Sequence, residues 1–211
     1  MNRADRNRQM LEFFAQRAAG YDAVHLPMMD NKRAITQALQ GSPQRILDLG
    51  VGTGLELIPL FERFPEAHVT GIDLAQPMLE ELKKRGFASR VTAQRGDFFE
   101  VPFGEGYDAA ISSAALHHFS EADKALLYAK VFCALRPGGQ WINADRFAAT
   151  QQEQDEAFGA YALNPTAYPH MDTPLTPENE RRLLLDAGFR KVDTIPLKDP
   201  RYRLMTAVKP R

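Results

Sequence analysis

From residue 45 onward, the hydrophobic positions alternate between short strand-like runs and segments with helical spacing. Helical patterns over about residues 54–64 and 76–85 separate the first three apolar runs. Strands that alternate with helices pair in parallel through right-handed crossovers, so the pattern predicts a doubly wound α/β sheet. The predicted strands are Ile46–Leu49, Val69–Ile72, Arg90–Gln94, Asp108–Ser112 and Gln140–Ala144.

Both ends of the chain depart from this alternation. A helical pattern over residues 8–19 leads into a predicted turn at Gly20–Asp22, and a second helical pattern covers residues 30–40. Residues 148–175 are polar, partly helical and too irregular for a plain connection, which is typical of a substrate cover. The last predicted elements are a capped helix that opens at Thr176 and ends at Gly188, followed by the strands Lys191–Leu197 and Arg203–Val208.

Two local sequences mark helix boundaries. Ser120 and Asp123 have the spacing of an N-terminal capping box, with aspartate in place of glutamate. Pro59 lies beyond the first turn of the helix predicted over residues 54–64, where proline removes a hydrogen-bond donor and its ring clashes with the preceding turn. We therefore expect that helix to start late or to kink.

A glycine-rich sequence joins the first strand to the next helix. It contains Gly50, Gly52 and Gly54, and Asp73 ends the second apolar run. A strand that delivers a glycine turn to a helix N-terminus, followed by a strand that ends in a carboxylate, is typical of sites for nucleoside-containing cofactors. The glycines follow the spacing G-x-G-x-G rather than the G-x-G-x-x-G of pyrophosphate cofactors.

This spacing, preceded by Asp48, resembles that of class I S-adenosylmethionine-dependent methyltransferases, and the resemblance covers nearly the whole chain. It implies one Rossmann-like domain with a mostly parallel seven-stranded sheet, whose last two strands form an antiparallel edge hairpin. S-adenosylmethionine carries no phosphate, so its methionyl group and ribose would lie directly on the backbone of Gly50, Gly52 and Gly54. The implied cofactor is S-adenosylmethionine, and the implied product is S-adenosylhomocysteine.

The resemblance also implies roles for side chains at the strand ends. Asp73 would accept hydrogen bonds from both ribose hydroxyls, while Leu74 and Met78 would line the adenine. Asp97 would accept a hydrogen bond from the adenine amino group, and Phe98 would lie against the ring. The other cofactor-binding residues implied by the resemblance are Tyr21, Asp48 and Ser113.

Candidate catalytic residues follow the fourth and fifth strands. Methyl transfer from a sulfonium mainly requires alignment and exclusion of water, and a general base is needed only when the acceptor must lose a proton. His117 and His118 are adjacent, so we expect one of them to face the cleft and favour His118. His117 and Asp145 are further candidates, and we expect no metal site.

The composition narrows the classes of partner. The chain has 26 basic and 27 acidic residues and a formal net charge of −1, which disfavours nucleic acid as a partner. Its first residues lack the apolar core of a signal peptide, and no apolar stretch approaches the ~20 residues of a membrane span. We therefore expect a cytoplasmic protein that acts on a small molecule. The single cysteine, Cys133, excludes an intramolecular disulfide framework.

A chain of 211 residues fits a single domain. We divide it into an N-terminal helical cover (1–43), a cofactor-binding half (44–147), a substrate-cover insertion (148–175) and a C-terminal helix with two strands (176–211). The expected function is in-line methyl transfer from S-adenosylmethionine to a small-molecule acceptor. A non-catalytic S-adenosylmethionine-binding protein or an interaction protein is an alternative. A nicotinamide-dependent oxidoreductase is less favoured, because the glycine spacing differs and no Tyr-x-x-x-Lys couple is present.

Overall fold

The computed structural model describes residues 3–211. Its strands are β1 (Arg45–Leu49), β2 (His68–Asp73), β3 (Val91–Arg95), β4 (Tyr107–Ser113), β5 (Leu135–Arg146), β6 (Arg190–Pro196) and β7 (Tyr202–Val208). Its helices are α1 (Arg3–Ala15), α2 (Tyr21–His25), α3 (Met29–Ala38), α4 (Leu57–Arg63), α5 (Gln76–Lys83), α6 (Glu121–Ala134), α7 (Gln151–Leu163) and α8 (Pro177–Asp186). Within residues 3–211, no helix combines the length and the apolar character that a membrane span requires.

The seven strands confirm the predicted doubly wound topology. They lie in the order β3-β2-β1-β4-β5-β7-β6. Pairing is parallel from β3 to β5, whereas β7 is antiparallel to both β5 and β6. Asp48 of β1 lies opposite Gly71 of β2 and Ile111 of β4. The carboxyl ends of the central strands therefore meet at one edge, where ligands bind in sheets of this kind.

Each face of the sheet is buried under its own helices. The neighbouring β5 residues Trp141 and Ile142 point to opposite faces, as successive strand residues do. Trp141 belongs to a hydrophobic cluster that includes Val131 of α6 and Leu184 of α8. Ile142 belongs to a second cluster that includes Leu60 of α4. Burial on both faces explains why the central strands β1 and β4 are largely apolar and lack a polar face.

The helix boundaries follow the local sequence signals. Helix α4 begins at Leu57, which places Pro59 in the first turn, where its missing N–H costs no hydrogen bond. The expected late start is confirmed. The Ser120 hydroxyl accepts a hydrogen bond from the Asp123 N–H at 3.2 Å, which caps α6 as predicted.

The N-terminal segment differs from the prediction at residues 20–22. The predicted turn at Gly20–Asp22 is instead the passage from a 3₁₀ turn, Ala18–Gly20, into the short helix α2. The rings of Tyr21 and His25 stack with centroids 3.8 Å apart, and His25 Nδ1 lies 2.8 Å from the Tyr21 carbonyl oxygen. These contacts stabilise helical structure after Gly20. The low helix propensity of glycine alone predicts a break at this position.

The fifth strand is longer than predicted. Leu135 already pairs with Tyr107 of β4, and the pairing then shifts register before Ala109. The shift accommodates residues 136–139, where Gly138 has φ +77° and donates its N–H to the Lys209 carbonyl at 2.9 Å. Residues 136–139, which precede the predicted strand Gln140–Ala144, are therefore an irregularity inside β5.

A buried ion pair joins α6 to α8 and generates a stability prediction. Lys124 Nζ donates to Glu180 Oε2 at 2.8 Å, the Tyr128 hydroxyl donates to Oε1, and the two charged side chains are 2% and 0% exposed. We expect Lys124→Met to lower the free energy of unfolding, measured by urea denaturation, by about 3 kcal/mol, because it removes one partner of a buried charge. Lys84→Met is the matched control, since Lys84 forms an exposed pair with Glu81 worth about 0.5 kcal/mol. Equal losses in the two variants would contradict the prediction.

Candidate functional site

Two pockets adjoin at the carboxyl ends of the central strands. The first, which we call the glycine pocket, lies between the turn after β1, the ends of β2 and β4, and helix α1. It brings together most of the residues that the sequence predicts to bind a cofactor. These are Tyr21, Gly50, Gly52, Asp73, Leu74, Met78, Asp97, Phe98 and Ser113.

The turn after β1 needs its glycines for conformation and for space. Gly50 has φ +82° and Gly52 has φ +50°, in the left-handed region that favours glycine. A Cβ atom on Gly50 would lie 2.6 Å from the Ala115 Cβ, so no other residue fits there. A Cβ atom on Gly52 would lie 3.3 Å from the Met78 Cε and 4.0 Å from Asp73 Oδ2, beside the pocket. The backbone of this turn is therefore bare where it borders the pocket.

Asp73 ends β2 and is tied to the same turn. Its Oδ2 accepts the Gly52 N–H at 2.9 Å, and its Oδ1 accepts the Ala75 N–H at 2.8 Å. Burial raises the pKa of Asp73 to about 6, although these two hydrogen bonds favour the charged form and oppose the shift. Each oxygen keeps a second lone pair, so the carboxylate can also accept hydrogen bonds from a ligand.

Asp97 and Phe98 follow β3. Asp97 Oδ1 accepts the Phe99 N–H at 2.9 Å, while Oδ2 accepts a hydrogen bond from the side-chain amide of Asn7 in α1. Phe98 is largely buried and borders the pocket. The Asp97 carboxylate, which is predicted to accept a hydrogen bond from the adenine amino group, thus already accepts one from a side chain of α1.

Ser113 lies at the end of β4, and a lysine side chain of α3 holds its hydroxyl in place. Lys32 Nζ donates to Ser113 Oγ and to Glu56 Oε2, at 3.1 Å in each case. The side chains of Lys32 and Glu56 are 5% and 4% exposed, so this is a buried pair. It fixes the Ser113 hydroxyl beside the pocket. Sequence reasoning missed Lys32, because a single lysine on a predicted helix usually faces solvent.

Two predicted cofactor residues do not line the glycine pocket. Gly54 faces the core, where a Cβ atom would lie 2.4 Å from the Leu82 Cδ1. Asp48 is fully buried, and neither of its carboxyl oxygens has a hydrogen-bond partner among the described residues. Burial, together with the nearby Glu56 carboxyl, raises the pKa of Asp48 well above its usual range. Their roles in cofactor binding stay predictions.

Helix α1 supplies pocket residues that sequence reasoning missed. The helical spacing of Met10 and Phe14 indicates an apolar helix face, but spacing alone does not indicate which surface that face covers. Arg6 is also at the pocket, where it pairs with Asp123 and lies over the Phe119 ring at 4.9 Å from its centroid. The α1 residues that border the pocket are Arg6, Asn7, Met10, Leu11 and Phe14.

The second pocket, which we call the histidine pocket, shares four lining residues with the first. These shared residues are Phe14, Tyr21, Ala114 and His118. Ala114 has φ +52°, a left-handed conformation that is uncommon for residues with a Cβ atom. This residue turns the chain at the end of β4, between the two pockets. Ligands in the two pockets would therefore lie side by side.

His117 lines the histidine pocket and has a carboxylate partner. Its Nδ1 lies 2.5 Å from Asp145 Oδ1, so the Nδ1–H donates to the carboxylate. Asp145 Oδ2 accepts the backbone N–H groups of Leu116 at 2.8 Å and His117 at 3.2 Å. Burial alone would raise the pKa of Asp145, but the His117 side chain, the charge of Lys124 and the Arg146 N–H lower it below its usual value. His117 Nε2 has no hydrogen-bond partner within residues 3–211, which leaves it able to accept a proton.

His118 borders both pockets. Its Nδ1–H donates to the Met171 carbonyl oxygen at 2.7 Å. Burial and the neighbouring His117 and His170 lower the pKa of His118 well below its usual value, so its imidazole is neutral. The structure thus brings all three predicted catalytic candidates together. It pairs Asp145 with His117, however, rather than with His118, which the sequence analysis favoured.

Comparison with known protein sequences relates the chain to methyltransferases. Residues 46–139 match a family described as methyltransferase domain. An uncharacterized methyltransferase of Geobacillus kaustophilus is 30% identical over 152 residues, which are 71% of this chain and 67% of the relative. Demethylmenaquinone methyltransferase of Thermus thermophilus is 35% identical over 114 residues, which are 53% of this chain and 51% of the relative. The chain thus matches about half the length of the Thermus protein.

Solved structures share the fold. A Nostoc punctiforme protein, named as a candidate O-methyltransferase, superposes with a TM-score of 0.77 at 27% identity, covering 93% of this chain and 60% of that one. Human N-acetylserotonin methyltransferase, solved in complex with S-adenosylmethionine, gives a TM-score of 0.67 at 23% identity and covers 86% of this chain and 52% of its own. The second likeness concerns the fold alone.

The bare glycine turn generates a binding prediction. We expect Gly52→Ala to weaken the binding of S-adenosylhomocysteine by about tenfold or more, because the new methyl group would border the pocket beside Asp73. Isothermal titration calorimetry measures the affinity. Gly41→Ala is the matched control, since Gly41 has φ +70° and a Cβ atom there would meet no heavy atom within 4 Å, which leaves only the conformational cost of about 1 kcal/mol. Unchanged affinity of the Gly52 variant would contradict the assignment of the pocket.

The shifted pKa of Asp73 generates a pH prediction. We expect the affinity for S-adenosylhomocysteine to fall about tenfold between pH 7 and pH 5, because ligand hydroxyls donate to the ionised carboxylate, which protonates as the pH falls through about 6. Titration calorimetry at both pH values measures the change. Asp73→Asn should bind more weakly and without this dependence. Equal wild-type affinity at the two pH values would refute the prediction.

Proposed function

We propose that this chain, which belongs to the class I S-adenosylmethionine-dependent methyltransferases, transfers a methyl group to a hydroxyl of a small molecule held in the histidine pocket. The observation that carries the proposal is that His117, which lines this pocket next to the glycine pocket, is hydrogen-bonded to the buried carboxylate of Asp145. A hydroxyl must lose a proton when it is methylated, and a histidine backed by a buried carboxylate is suited to take it.

The glycine pocket fits S-adenosylmethionine. Its bare turn at Gly50 and Gly52 leaves room for a ligand against the backbone, and Asp73 and Asp97 offer carboxylate acceptors for ribose hydroxyls and an adenine amino group. Phe98 offers an apolar surface for the base. When bound, the cofactor supplies a methyl group that is attached to a positively charged sulfur, and this sulfur is a good leaving group.

In the proposed reaction, the acceptor oxygen bonds to the methyl carbon as the carbon–sulfur bond breaks, and the electron pair of that bond returns to sulfur. His117 Nε2 takes the hydroxyl proton, which leaves a neutral methyl ether and S-adenosylhomocysteine. Asp145 keeps the Nδ1 of His117 protonated and stabilises the imidazolium that forms. A positioned base of this kind contributes about 10²- to 10⁴-fold to the rate.

Contacts between α1 and the segment 148–175 support a covering role for both. Gln9 Nε2 of α1 donates to the carbonyl oxygens of Pro165 at 3.1 Å and Tyr168 at 2.6 Å. The Tyr161 hydroxyl donates to Gln9 Oε1 at 3.0 Å. This glutamine therefore ties the N-terminal helix to the insertion. Such a cover excludes water from the reaction, which favours methyl transfer to the acceptor over hydrolysis.

Product formation tests the proposed function. The protein is incubated with S-adenosylmethionine and a panel of phenols, hydroxy acids, amines and thiols, and S-adenosylhomocysteine and methylated products are measured by mass spectrometry. We expect methylation of hydroxyl groups. Binding of S-adenosylhomocysteine without turnover on any acceptor would favour a non-catalytic cofactor-binding protein instead. Absence of binding would contradict both functions.

His117 generates a kinetic prediction. We expect His117→Asn to lower kcat by about 10²- to 10⁴-fold, because the amide nitrogen takes the place of Nδ1 and can donate to Asp145 but cannot carry the acceptor's proton. The affinity for S-adenosylhomocysteine should not change, since His117 does not border the glycine pocket. His25→Asn is the matched control, because His25 lines the same pocket without a carboxylate partner within the described residues. A His117 variant with wild-type kcat would exclude His117 as the base.

A further inference from the structure

A row of rings runs along the histidine pocket. The ring centroids of His117 and His118 are 3.8 Å apart, those of His118 and His170 are 4.8 Å apart, and those of His170 and Phe13 are 4.1 Å apart. Tyr21 adds a further ring to the lining. Aromatic side chains pack best against other rings, in tilted, offset or edge-to-face arrangements. The wall of this pocket therefore suits a flat aromatic ligand better than a flexible aliphatic one.

Arg17 lies at the end of this row, beside Phe13, and has no ion-pair partner among the described residues. The Arg17 guanidinium carbon lies 3.6 Å from the centroid of the Phe13 ring, and its Nη1 donates to the Phe13 carbonyl oxygen at 3.0 Å. Arg17 is exposed and lines the histidine pocket. None of the ion pairs formed within residues 3–211 includes it. Its planar fork therefore has free donors for an anion.

The other charged and titratable groups around this pocket leave the charge of Arg17 uncompensated. Asp145 is bound to His117, and Asp172 is paired with Arg146. Burial is the main cause that lowers the pKa values of the three remaining imidazoles, which keeps them neutral. These are His25, His118 and His170. The described lining of the pocket thus carries the charged Arg17 at one end and His117, which is hydrogen-bonded to Asp145, at the other.

We infer that the acceptor is a hydroxyaromatic carboxylate, whose hydroxyl meets His117 while its carboxylate binds Arg17. This inference rests on the proposed function and adds the substrate class to it. A guanidinium binds a carboxylate through two parallel N–H donors, which fixes orientation as well as affinity. The single positive charge of a guanidinium neutralises a monoanion such as a carboxylate. A phosphate monoester carries a charge of about −1.5 to −2, so part of its negative charge would stay unpaired. The ring of the acceptor would lie along the row of rings between the two ends.

Matched probes test this substrate class. The protein saturated with S-adenosylhomocysteine is titrated with para-hydroxybenzoate, para-hydroxycinnamate and hydroxynaphthoate, and with the carboxamide of each, in calorimetry or ligand-observed NMR. We expect at least one carboxylate to bind about tenfold or more tightly than its carboxamide, because a charged hydrogen bond contributes about 1.5–3 kcal/mol. In turnover assays with S-adenosylmethionine, the same preference should appear mainly in KM.

Variants of Arg17 assign the preference to one residue. Arg17→Gln should remove the preference for the carboxylate over the carboxamide. Arg17→Lys should keep part of this preference, since lysine keeps the positive charge but lacks the planar guanidinium. Arg33→Gln is the matched control for loss of an exposed positive charge on an N-terminal helix, where Arg33 pairs with Asp30, and it should keep the full preference.

The outcomes separate the two proposals. The inference is overturned if the carboxamides bind as tightly as the carboxylates, if no carboxylate binds, or if Arg17→Gln keeps the preference. Methylation of neutral hydroxyl compounds with no preference for carboxylates would overturn the substrate class and leave the proposed function standing. Failure of S-adenosylhomocysteine to bind would instead remove the proposed function.

Discussion

The hydrogen bond between the Gly52 N–H and the Asp73 carboxylate is the constraint on which the site depends. The turn after β1 is also held by Ile72, whose carbonyl oxygen accepts the N–H groups of Gly50 at 2.9 Å and Val51 at 3.3 Å. The ends of β1 and β2 are therefore joined by backbone groups that only a left-handed glycine turn can present in this way. The same contacts orient a buried carboxylate toward the pocket and leave the backbone beside it uncovered.

Patterns that depend on neighbouring residues predicted much of this architecture. The alternation of strands and helices predicts the parallel core, because the hydrophobic spacing of a helix or a strand depends only on its own backbone geometry. Pro59 marks where α4 begins for a similarly local reason, and the spacing from Gly54 to Asp73 reflects two adjacent strand ends. The antiparallel edge formed by β6 and β7 required the resemblance to a family, since hydrophobic pattern alone does not specify strand direction.

Contacts between distant parts of the chain could not be predicted in this way. Asn7 meets Asp97 and Lys32 meets Ser113 only because helices pack on the sheet in a particular orientation, which no spacing within one helix encodes. The choice between His117 and His118 is of the same kind. Both lie in a 3₁₀ turn, and only the packing of that turn against the end of β5 decides which imidazole reaches Asp145.

The hydrogen bond from Asn7 to Asp97 has a consequence for the binding of a nucleoside. An adenine amino group that used the same carboxylate oxygen would have to share it with Asn7 or displace it. Asn7 and Gln9 lie on one helix, and Gln9 holds the chain at Pro165 and Tyr168. A nucleoside that displaced Asn7 would therefore act on the same helix that Gln9 ties to residues 165–168. By linkage, a change in the position of α1 at its contacts with that segment would in turn change the affinity of the glycine pocket for the nucleoside.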